Sequence, residues 1–423
     1  MAALSEIEFS TNTSDKSVSE TLGGVLQSFK KSQVEHLKTL TIPTRKTEMW
    51  KYSAKHLKLA ETYPLLSSKS TQIKESPYEL DCATLVISNG RLQAHSLSQP
   101  GLTIKSFSEL NDVEAGQVIL GAIANSDQLA FSTINAAYFE NGVYINVSAN
   151  TQIEKPLKII FLHEGDGCSF PRIYVNVEPN ASLTLVEEVQ MSTNEHNTAL
   201  LSSVSDLNIA ANARVNYLRM NLDAGNSKHI GATGVKLHRD AYFRSDCLAL
   251  GSELARHDLN IQMLDSGAEC SLNCVCITRD KQHFDMHTQI EHIAPNCTSN
   301  ETYRCIADNK SHIVFNGRIH IHPNAQKSLG ALSNKNLLLS SEAEIDSKPE
   351  LEIYADDVKC AHGTTIGQLD ETELYYLKTR GISHEQAKLM LTLGFVLEIV
   401  RAAPVEEIAQ FWEQRLTEAL RVQ

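Results

Sequence analysis

The sequence contains the stretch Asn180-Ala181-Ser182-Leu183-Thr184-Leu185 and three later variants of it. The variants are Asn212-Ala213-Arg214-Val215-Asn216-Tyr217, Asp240-Ala241-Tyr242-Phe243 and Gly267-Ala268-Glu269-Cys270-Ser271-Leu272. Each has a turn-forming residue, then Ala, then the alternation of a strand, and the Ala positions are 32, 28 and 27 residues apart. Short strands repeating at this interval predict a β-solenoid, in which each coil buries its inward side chains against the next.

A two-sheet sandwich is the alternative fold for a run of short strands. It normally shows turn signals about every 8–12 residues, without the register near 28 that repeats here. Two weaker echoes of the motif follow at Asn324-Ala325 and Glu342-Ala343. We therefore predict a mainly β protein whose solenoid core occupies residues 141–365.

Helical signals precede the repeats. Ser17 and Glu20 form a capping-box pattern, and apolar residues recur at helical spacing at Val18, Leu22, Leu26 and Phe29. This pattern predicts a helix running toward Leu40 and stopped by Pro43. We expect residues 1–140 to form an N-terminal helical or mixed domain. Trp50 in this domain is expected to be a packing anchor, since a Trp in such a segment less often marks a ligand site.

Helical signals return after the repeats. Asp370 begins a short helix that Gly381 ends, and Ser383 with Gln386 caps a longer one. The longer helix carries the apolar stripe Leu393, Val396, Leu397 and Val400. A last amphipathic helix follows Pro404. Residues 366–423 are thus predicted to be a small helical domain that caps the solenoid or docks a partner.

Composition excludes several classes of protein. Hydrophobic residues make up 42% of the 423 residues and charged ones 21%, as in a globular protein. The net charge of −13, without a basic stripe, leaves nothing to attract nucleic acid or an anionic membrane. The longest apolar run is a dozen residues and contains Glu398, too short for a membrane span.

The compartment is predicted from the N-terminus and the cysteines. No export signal is visible in the first ten residues, and the nine cysteines are an odd number scattered over a long chain. Both features favour reduced thiols and a cytoplasmic location. They also disfavour a carbohydrate-active β-helix enzyme, the main rival function, since such enzymes are usually secreted.

Nucleotide and hydrolase motifs are absent from the sequence. There is no Gly-Lys pair, so no P-loop can form, and the dinucleotide, serine-hydrolase and zincin signatures are missing. The chain is therefore expected to bind no nucleotide itself, and a dinucleotide site, a serine-hydrolase site and a zincin site are unsupported.

Three groups of potential metal ligands occur within the repeats. Cys270, Cys274 and Cys276 share one face of a strand, which fits small core residues better than a metal cluster. His283 and His287 also share a face, and structural or exposed histidines are expected there. A stand-alone metal enzyme built on this pair would need stoichiometric metal in the isolated chain. The His320 and His322 imidazoles alternate with isoleucines and should point outward.

The most suggestive segment runs from Lys348 to Gly367 and contains Cys360-Ala361-His362-Gly363. If this part is extended, Cys360 and His362 lie on one face about 6.6 Å apart along the strand. A thiolate and an imidazole so placed can address one soft or borderline metal. Spacing alone favours a buried Cys beside a surface His.

Several motifs belong together as a family pattern. They are Thr44-Arg45-Lys46-Thr47-Glu48 with Trp50-Lys51-Tyr52, Phe315-Asn316-Gly317, Tyr354-Ala355-Asp356-Asp357-Val358-Lys359-Cys360, and Tyr375 with Leu377, Arg380, Gly381 and Ile382. They resemble the SufB/SufD family, whose members are scaffold subunits of the SUF iron–sulfur cluster assembly system. The SufD-type branch is favoured, because the SufB type has a cysteine where alignment places Ile353 and carries N-terminal CxxC-type cysteines that are absent here.

The resemblance implies an N-terminal helical domain, a right-handed parallel β-helix and a C-terminal helical domain. It implies pairing with a SufB-like paralogue through the terminal strands, and docking of a SufC-like ATPase on the C-terminal helices. A homodimer is a further possibility when SufB is absent.

The resemblance also implies a site. His362 would hold iron or a nascent iron–sulfur cluster, transient and shared with a cysteine of the SufB-like partner, with a part in iron acquisition. Cys360 is the second-rank candidate ligand. Asp356 and Asp357 would either orient the turn before the strand or help to recruit iron.

Overall fold

The computed structural model describes residues 8–11, 22–57, 59, 62–66, 78–93, 99–122, 130–192, 199–222 and 227–421. The predicted capping box at Ser17 and Glu20 lies outside these residues, as does Val18. The helix predicted after it is present and spans Gly24–Leu37, three residues short of Leu40.

The helices and strands are numbered in chain order. The α-helices are α1 (Gly24–Leu37), α2 (Ala54–Leu57), α3 (Asp112–Gly121), α4 (Ala130–Tyr138), α5 (Glu371–Thr379), α6 (His384–Arg401) and α7 (Glu406–Arg421). Short 3-10 helices lie at Glu48–Trp50 and Phe107–Glu109. The strands are β1 (Glu8–Thr11), β2 (Thr62–Leu65), β3 (Ala83–Ser88), β4 (Arg91–Leu92), β5 (Leu102–Ser106), β6 (Val143–Val147), β7 (Leu157–Glu164), β8 (Cys168–Ser169), β9 (Arg172–Val177), β10 (Ser182–Ser192), β11 (Leu200–Ile209), β12 (Arg214–Asn221), β13 (Lys228–Leu237), β14 (Tyr242–Ala249), β15 (Leu254–Met263), β16 (Glu269–Thr278), β17 (His283–His292), β18 (Thr298–Ala307), β19 (His312–Ile321), β20 (Leu329–Leu338), β21 (Glu344–Ile353) and β22 (Lys359–Gly367).

Successive strands alternate between two sheets of parallel strands. One sheet, called here the first sheet, runs from β11 through β13, β15, β17 and β19 to β21. The second sheet runs from β7 through β10, β12, β14, β16, β18 and β20 to β22. Each strand pairs with the strand one coil away, and the coils make a β-solenoid of about seven turns. The predicted solenoid is confirmed, and the sandwich alternative is wrong.

The repeated motif marks one corner of the coil. Asn180, Asn212 and Asp240 have φ between 56° and 60°, a left-handed conformation that Asn, Asp and Gly adopt more easily than other residues. The next corner uses Gly267 at φ 80°. The amides stack from coil to coil, since Asn212 Nδ2 donates to Asn180 Oδ1 at 3.2 Å. The Ala after each corner residue is buried in the core.

The two later echoes of the motif do not continue this corner. Strand register extends the series from Gly267 to Asn296 and then to Lys327, which also has positive φ. Asn324 therefore precedes the corner by three residues, and Glu342 lies at the opposite corner, before β21.

The predicted core cysteines Cys270, Cys274 and Cys276 are confirmed as buried free thiols, as part of the solenoid interior.

Segments from both ends of the chain cover the outer faces. Trp50 is buried against the first sheet, where the Arg256 guanidinium lies 4.1 Å from its ring centroid, so it is a packing anchor. Helices α6 and α7 cover the second sheet, with Val396 and Trp412 in one apolar cluster with Leu337. Both predicted caps form: the Asp370 carboxylate accepts from the Thr372 N–H at 2.7 Å, and Ser383 with Gln386 makes a capping box.

The two ends of the solenoid differ. At the N-terminal end, the second sheet finishes in the two-residue strand β4, which is antiparallel to β3, and β5 runs antiparallel to β6. At the C-terminal end, both sheets finish in parallel strands of nine or ten residues, β22 and β21. The C-terminal end therefore presents the longer and more regular edges.

The helices of the described residues include none that is long and apolar enough to cross a membrane.

Candidate functional site

The C-terminal end of the solenoid carries two free strand edges. β21 pairs with β19 and β22 pairs with β20, and no described strand lies on the other side of either. The Lys359 N–H donates to the Ser328 carbonyl at 3.0 Å. Because neighbouring residues of a strand direct their N–H groups to opposite sides, those of Cys360, His362 and Thr364 point away from β20. Such an edge is a template for another strand.

His362 occupies a core-facing position that no coil covers in the described structure. In the strand ladder it pairs with Leu332, which pairs in turn with Glu301, and both of these side chains are buried. Residues paired in register point to the same face of a sheet. His362 is nevertheless exposed, as is most of β22, because the solenoid ends at this strand. A strand added to the edge would enclose the imidazole.

Cys360 lies on the same face as His362, as predicted for an extended segment. It pairs with Gly330 and is half-buried against the solenoid core. Burial raises the pKa of its thiol, so the proton must leave before the sulfur can bind a metal. His362 therefore presents the more available of the two ligand atoms.

Asp356 and Asp357 form the turn before β22, and both are exposed. The Asp357 N–H donates to the Gln326 side chain at 2.9 Å, and its carbonyl accepts from the Lys327 N–H at 2.6 Å. The backbone of Asp357 thus continues the corner of the coil, while its carboxylate remains at the surface.

His320 and His322 point outward, as predicted, while Ile319 and Ile321 are buried. Both imidazoles contact the Glu291 carboxylate, His320 at 2.6 Å and His322 at 2.8 Å. Sequence reasoning did not find Glu291, since it lies one coil earlier and is brought close only by the register of β17 and β19.

His283 and His287 do not form a two-histidine site. His287 lies 2.7 Å from Asp285, which also binds Arg256 at 2.6 Å. Burial lowers the pKa of His283 well below its ordinary value, and the nearby His56 ring lowers it further. Both histidines are buried and structurally engaged, in agreement with the structural alternative.

Buried charges inside the solenoid were not predicted at all. Glu187 accepts from Arg219 Nε at 3.0 Å and from the Tyr217 hydroxyl at 2.6 Å, with all three side chains buried. These residues come from neighbouring coils, so their pairing depends on register. The pairing offsets part of the cost of burying these charges, although Nη1 and Nη2 of Arg219 have no hydrogen-bond partner among the described residues.

The fold and its open end define a class: a parallel β-solenoid with free strand edges and an exposed histidine at one of them. The family model described as SUF system FeS cluster assembly, SufBD core domain, matches residues 160–395. The model of the SufBD protein N-terminal region matches residues 9–159. The chain therefore belongs to the SufBD family of iron–sulfur cluster assembly proteins.

Individual relatives agree with this assignment. The chain is 28% identical over 410 residues to an iron–sulfur cluster assembly SufBD family protein of Synechocystis, covering 92% of this chain and 90% of the relative. It is 27% identical over 392 residues to the iron–sulfur cluster assembly protein SufD of Escherichia coli, covering 89% of each. It is 27% identical over 287 residues to SufD of Bacillus subtilis, covering 67% of this chain and 65% of that protein. The family resemblance expected from the motifs is confirmed.

Proposed function

We propose that this chain is a non-catalytic scaffold subunit of the SUF complex, which pairs its terminal strands with a SufB-like paralogue around a nascent iron–sulfur cluster. The observation that carries the proposal is the exposed, core-facing position of His362 on the free edge of β22. A partner strand added there would satisfy the free backbone groups and bring its own side chains beside the imidazole.

The proposed site assigns His362 as an iron ligand and Cys360 as a secondary one. Imidazole and thiolate both bind iron, and one chain supplies too few ligands here to hold a cluster. The cluster is therefore cargo, shared transiently with the partner. Iron acquisition would use the same imidazole, with the exposed carboxylates of Asp356 and Asp357 nearby in sequence. The free edges can also take a second copy of this chain when the paralogue is absent.

Co-expression tests the proposal as a whole. A tagged copy of this chain is expected to co-purify with a SufB-like solenoid protein and a P-loop ATPase, and the complex should develop cluster absorbance when supplied with iron and sulfide. Purification of the chain alone from cells containing both partners would contradict the proposal.

The nine free cysteines agree with a reducing compartment, which we take to be the cytoplasm.

The isolated chain is expected to show no ATP turnover. A P-loop needs a Gly-Lys pair to cradle the phosphates, and the sequence has none. Phosphate release by the purified chain should equal that of buffer, while the co-purified complex hydrolyses ATP. Turnover by the chain alone, retained through a further purification step, would refute the non-catalytic assignment.

The ATPase is proposed to dock on the exposed side of the C-terminal helices. Most of the predicted stripe is covered by the chain itself, because Val396 and Val400 are buried and Leu393 packs in the same apolar cluster against the second sheet. Of the four residues, Leu397 alone lies outside that cluster, and it is half-buried. Large apolar side chains are instead exposed at Tyr375, Tyr376 and Met390. Tyr375 also belongs to the motif that carried the family resemblance.

Replacing both Tyr375 and Met390 with Asp should weaken ATPase capture by at least about 100-fold. Burying two apolar side chains in the interface contributes roughly 3 kcal/mol or more to the binding free energy, and the variant loses this contribution. Capture is measured by pull-down and by titration of the purified ATPase. The matched control replaces Val113 and Leu120, two equally exposed apolar residues of α3, with Asp. Equal capture by the two double variants would place the docking surface elsewhere.

A further inference from the structure

Three histidines meet on the outer face of the first sheet. His56 belongs to α2, while His283 and His312 are paired first residues of β17 and β19. The His56 and His283 rings stack with centroids 4.1 Å apart, and the His283 and His312 centroids are 4.8 Å apart. One nitrogen from each ring lies within 4.8 Å of the other two. Neither family motifs nor the open end of the solenoid involve this cluster.

Hydrogen bonds fix the state of His283. Its Nε2 lies 2.7 Å from the Ser53 hydroxyl oxygen, and that hydroxyl donates to Asp285 at 2.5 Å. Since the only hydroxyl proton of Ser53 is used by Asp285, the oxygen must accept from His283 Nε2–H. The Nδ1 atom of the neutral ring therefore carries a lone pair, and this buried atom has no hydrogen-bond partner.

His312 is held in the same manner. Its Nε2 lies 2.8 Å from the Asp346 carboxylate, which can only accept, so the proton is on Nε2. Its Nδ1 is also buried without a hydrogen-bond partner. A metal-bound histidine typically donates its other N–H to a carboxylate, a carbonyl or another oxygen. His283 and His312 thus each donate one N–H to an oxygen, as metal-bound histidines do, and each keeps a second ring nitrogen without a hydrogen-bond partner in the described part of the chain.

We propose that His56, His283 and His312 bind a divalent first-row transition-metal ion. Tetrahedral coordination with bonds near 2.0–2.1 Å places ligand nitrogens about 3.3 Å apart, so the rings need to close by about 1.5 Å at most. His56 is the mobile partner in this closure, since its helix is one turn long and its side chain is half-buried. Asp346 supplies negative charge to the site, while the charge of Asp285 is paired with Arg256 and the neighbouring Lys55 opposes a bound cation.

The bound ion would fasten the N-terminal segment to the solenoid. That segment already contacts the same face, where Glu48 pairs with Lys348 at 2.8 Å and Ser53 contacts His283. The inference is independent of the function proposed for His362, which lies on the other sheet.

Zn²⁺ and Co²⁺ binding to the full-length chain tests the inference. After chelator treatment, the wild-type chain should bind one Zn²⁺ by calorimetry at this site, and Co²⁺ should give the visible absorption of a site with nitrogen ligands. His56→Ala should weaken this binding by at least about tenfold. Asp346→Asn removes the negative charge behind His312 and should weaken binding by about 10-fold, the lower end of the 10- to 100-fold range of such changes.

The controls separate this site from the other ligand groups. His320→Ala and His384→Ala change histidines outside the cluster and should leave Zn²⁺ binding and the Co²⁺ spectrum as in the wild type. Circular dichroism establishes that each variant is folded. Unchanged binding in both His56→Ala and Asp346→Asn would overturn the inference, as would loss of the bound ion in either control variant.

Discussion

The His362→Ala variant is expected to assemble with its partners and to hold little iron–sulfur cluster. The imidazole is exposed, so its removal leaves no cavity in the solenoid core and should cost little stability. Loss of a direct ligand should reduce cluster yield by at least about tenfold, because even outer partners of a metal ligand change affinity by about 10–100-fold. Cluster absorbance on reconstituted complexes, normalised to the amount of assembled complex, measures the effect.

Two further variants make this result specific. Cys360→Ser keeps a small polar side chain in place of a secondary ligand and is expected to reduce cluster yield much less than His362→Ala. Lys359→Ala alters an exposed neighbour on the opposite face of β22 and should have no effect. Full cluster yield from normally assembled His362→Ala complexes would show that the assignment of His362 is wrong.

Thr364→Pro is expected to separate this chain from its SufB-like partner. The Thr364 N–H points away from β20, so proline removes a donor from the free edge without removing a backbone hydrogen bond within the solenoid. A partner carbonyl left unpaired in the interface costs about 1–3 kcal/mol, which weakens binding about 5- to 150-fold. Titration of the purified partner, or co-elution on a sizing column, measures the change.

Thr364→Ala is the matched control for the proline variant. The Thr364 hydroxyl donates to Asn334 at 3.2 Å, and both variants lose this contact while only proline loses the backbone N–H. The alanine variant should therefore bind nearly as well as the wild type. Equal affinity of the two variants would mean that the partner does not pair with β22, and the β21 edge would become the candidate.

The fold was predictable because each corner of the coil is formed by residues that are adjacent in the sequence. A left-handed residue followed by a small buried one is needed at every coil, and Asn180, Asn212, Asp240 and Gly267 supply it at visible intervals. Helix caps at Asp370 and Ser383 were predictable for the same reason. The common face of Cys360 and His362 followed from strand periodicity alone.

Features that depend on neighbouring coils were not predictable. The Glu291 carboxylate meets His320 and His322 only after the register is set, and the Glu187–Arg219 pair is likewise formed between coils. The apolar stripe of α6 posed a different difficulty. An apolar helix face has the same sequence pattern whether it covers its own sheet or a partner, so the burial of Val396 and Val400 required the structure.

The unlike ends of the solenoid limit how many subunits can join. Head-to-tail growth into a filament needs two complementary ends on every subunit. Here the C-terminal end presents long parallel edges, while the N-terminal end finishes in the short strands β1 and β4 and in the antiparallel strand β5. Two solenoid subunits meeting through their C-terminal ends, as proposed, would use up the long edges of both, so the pair would not grow into a filament.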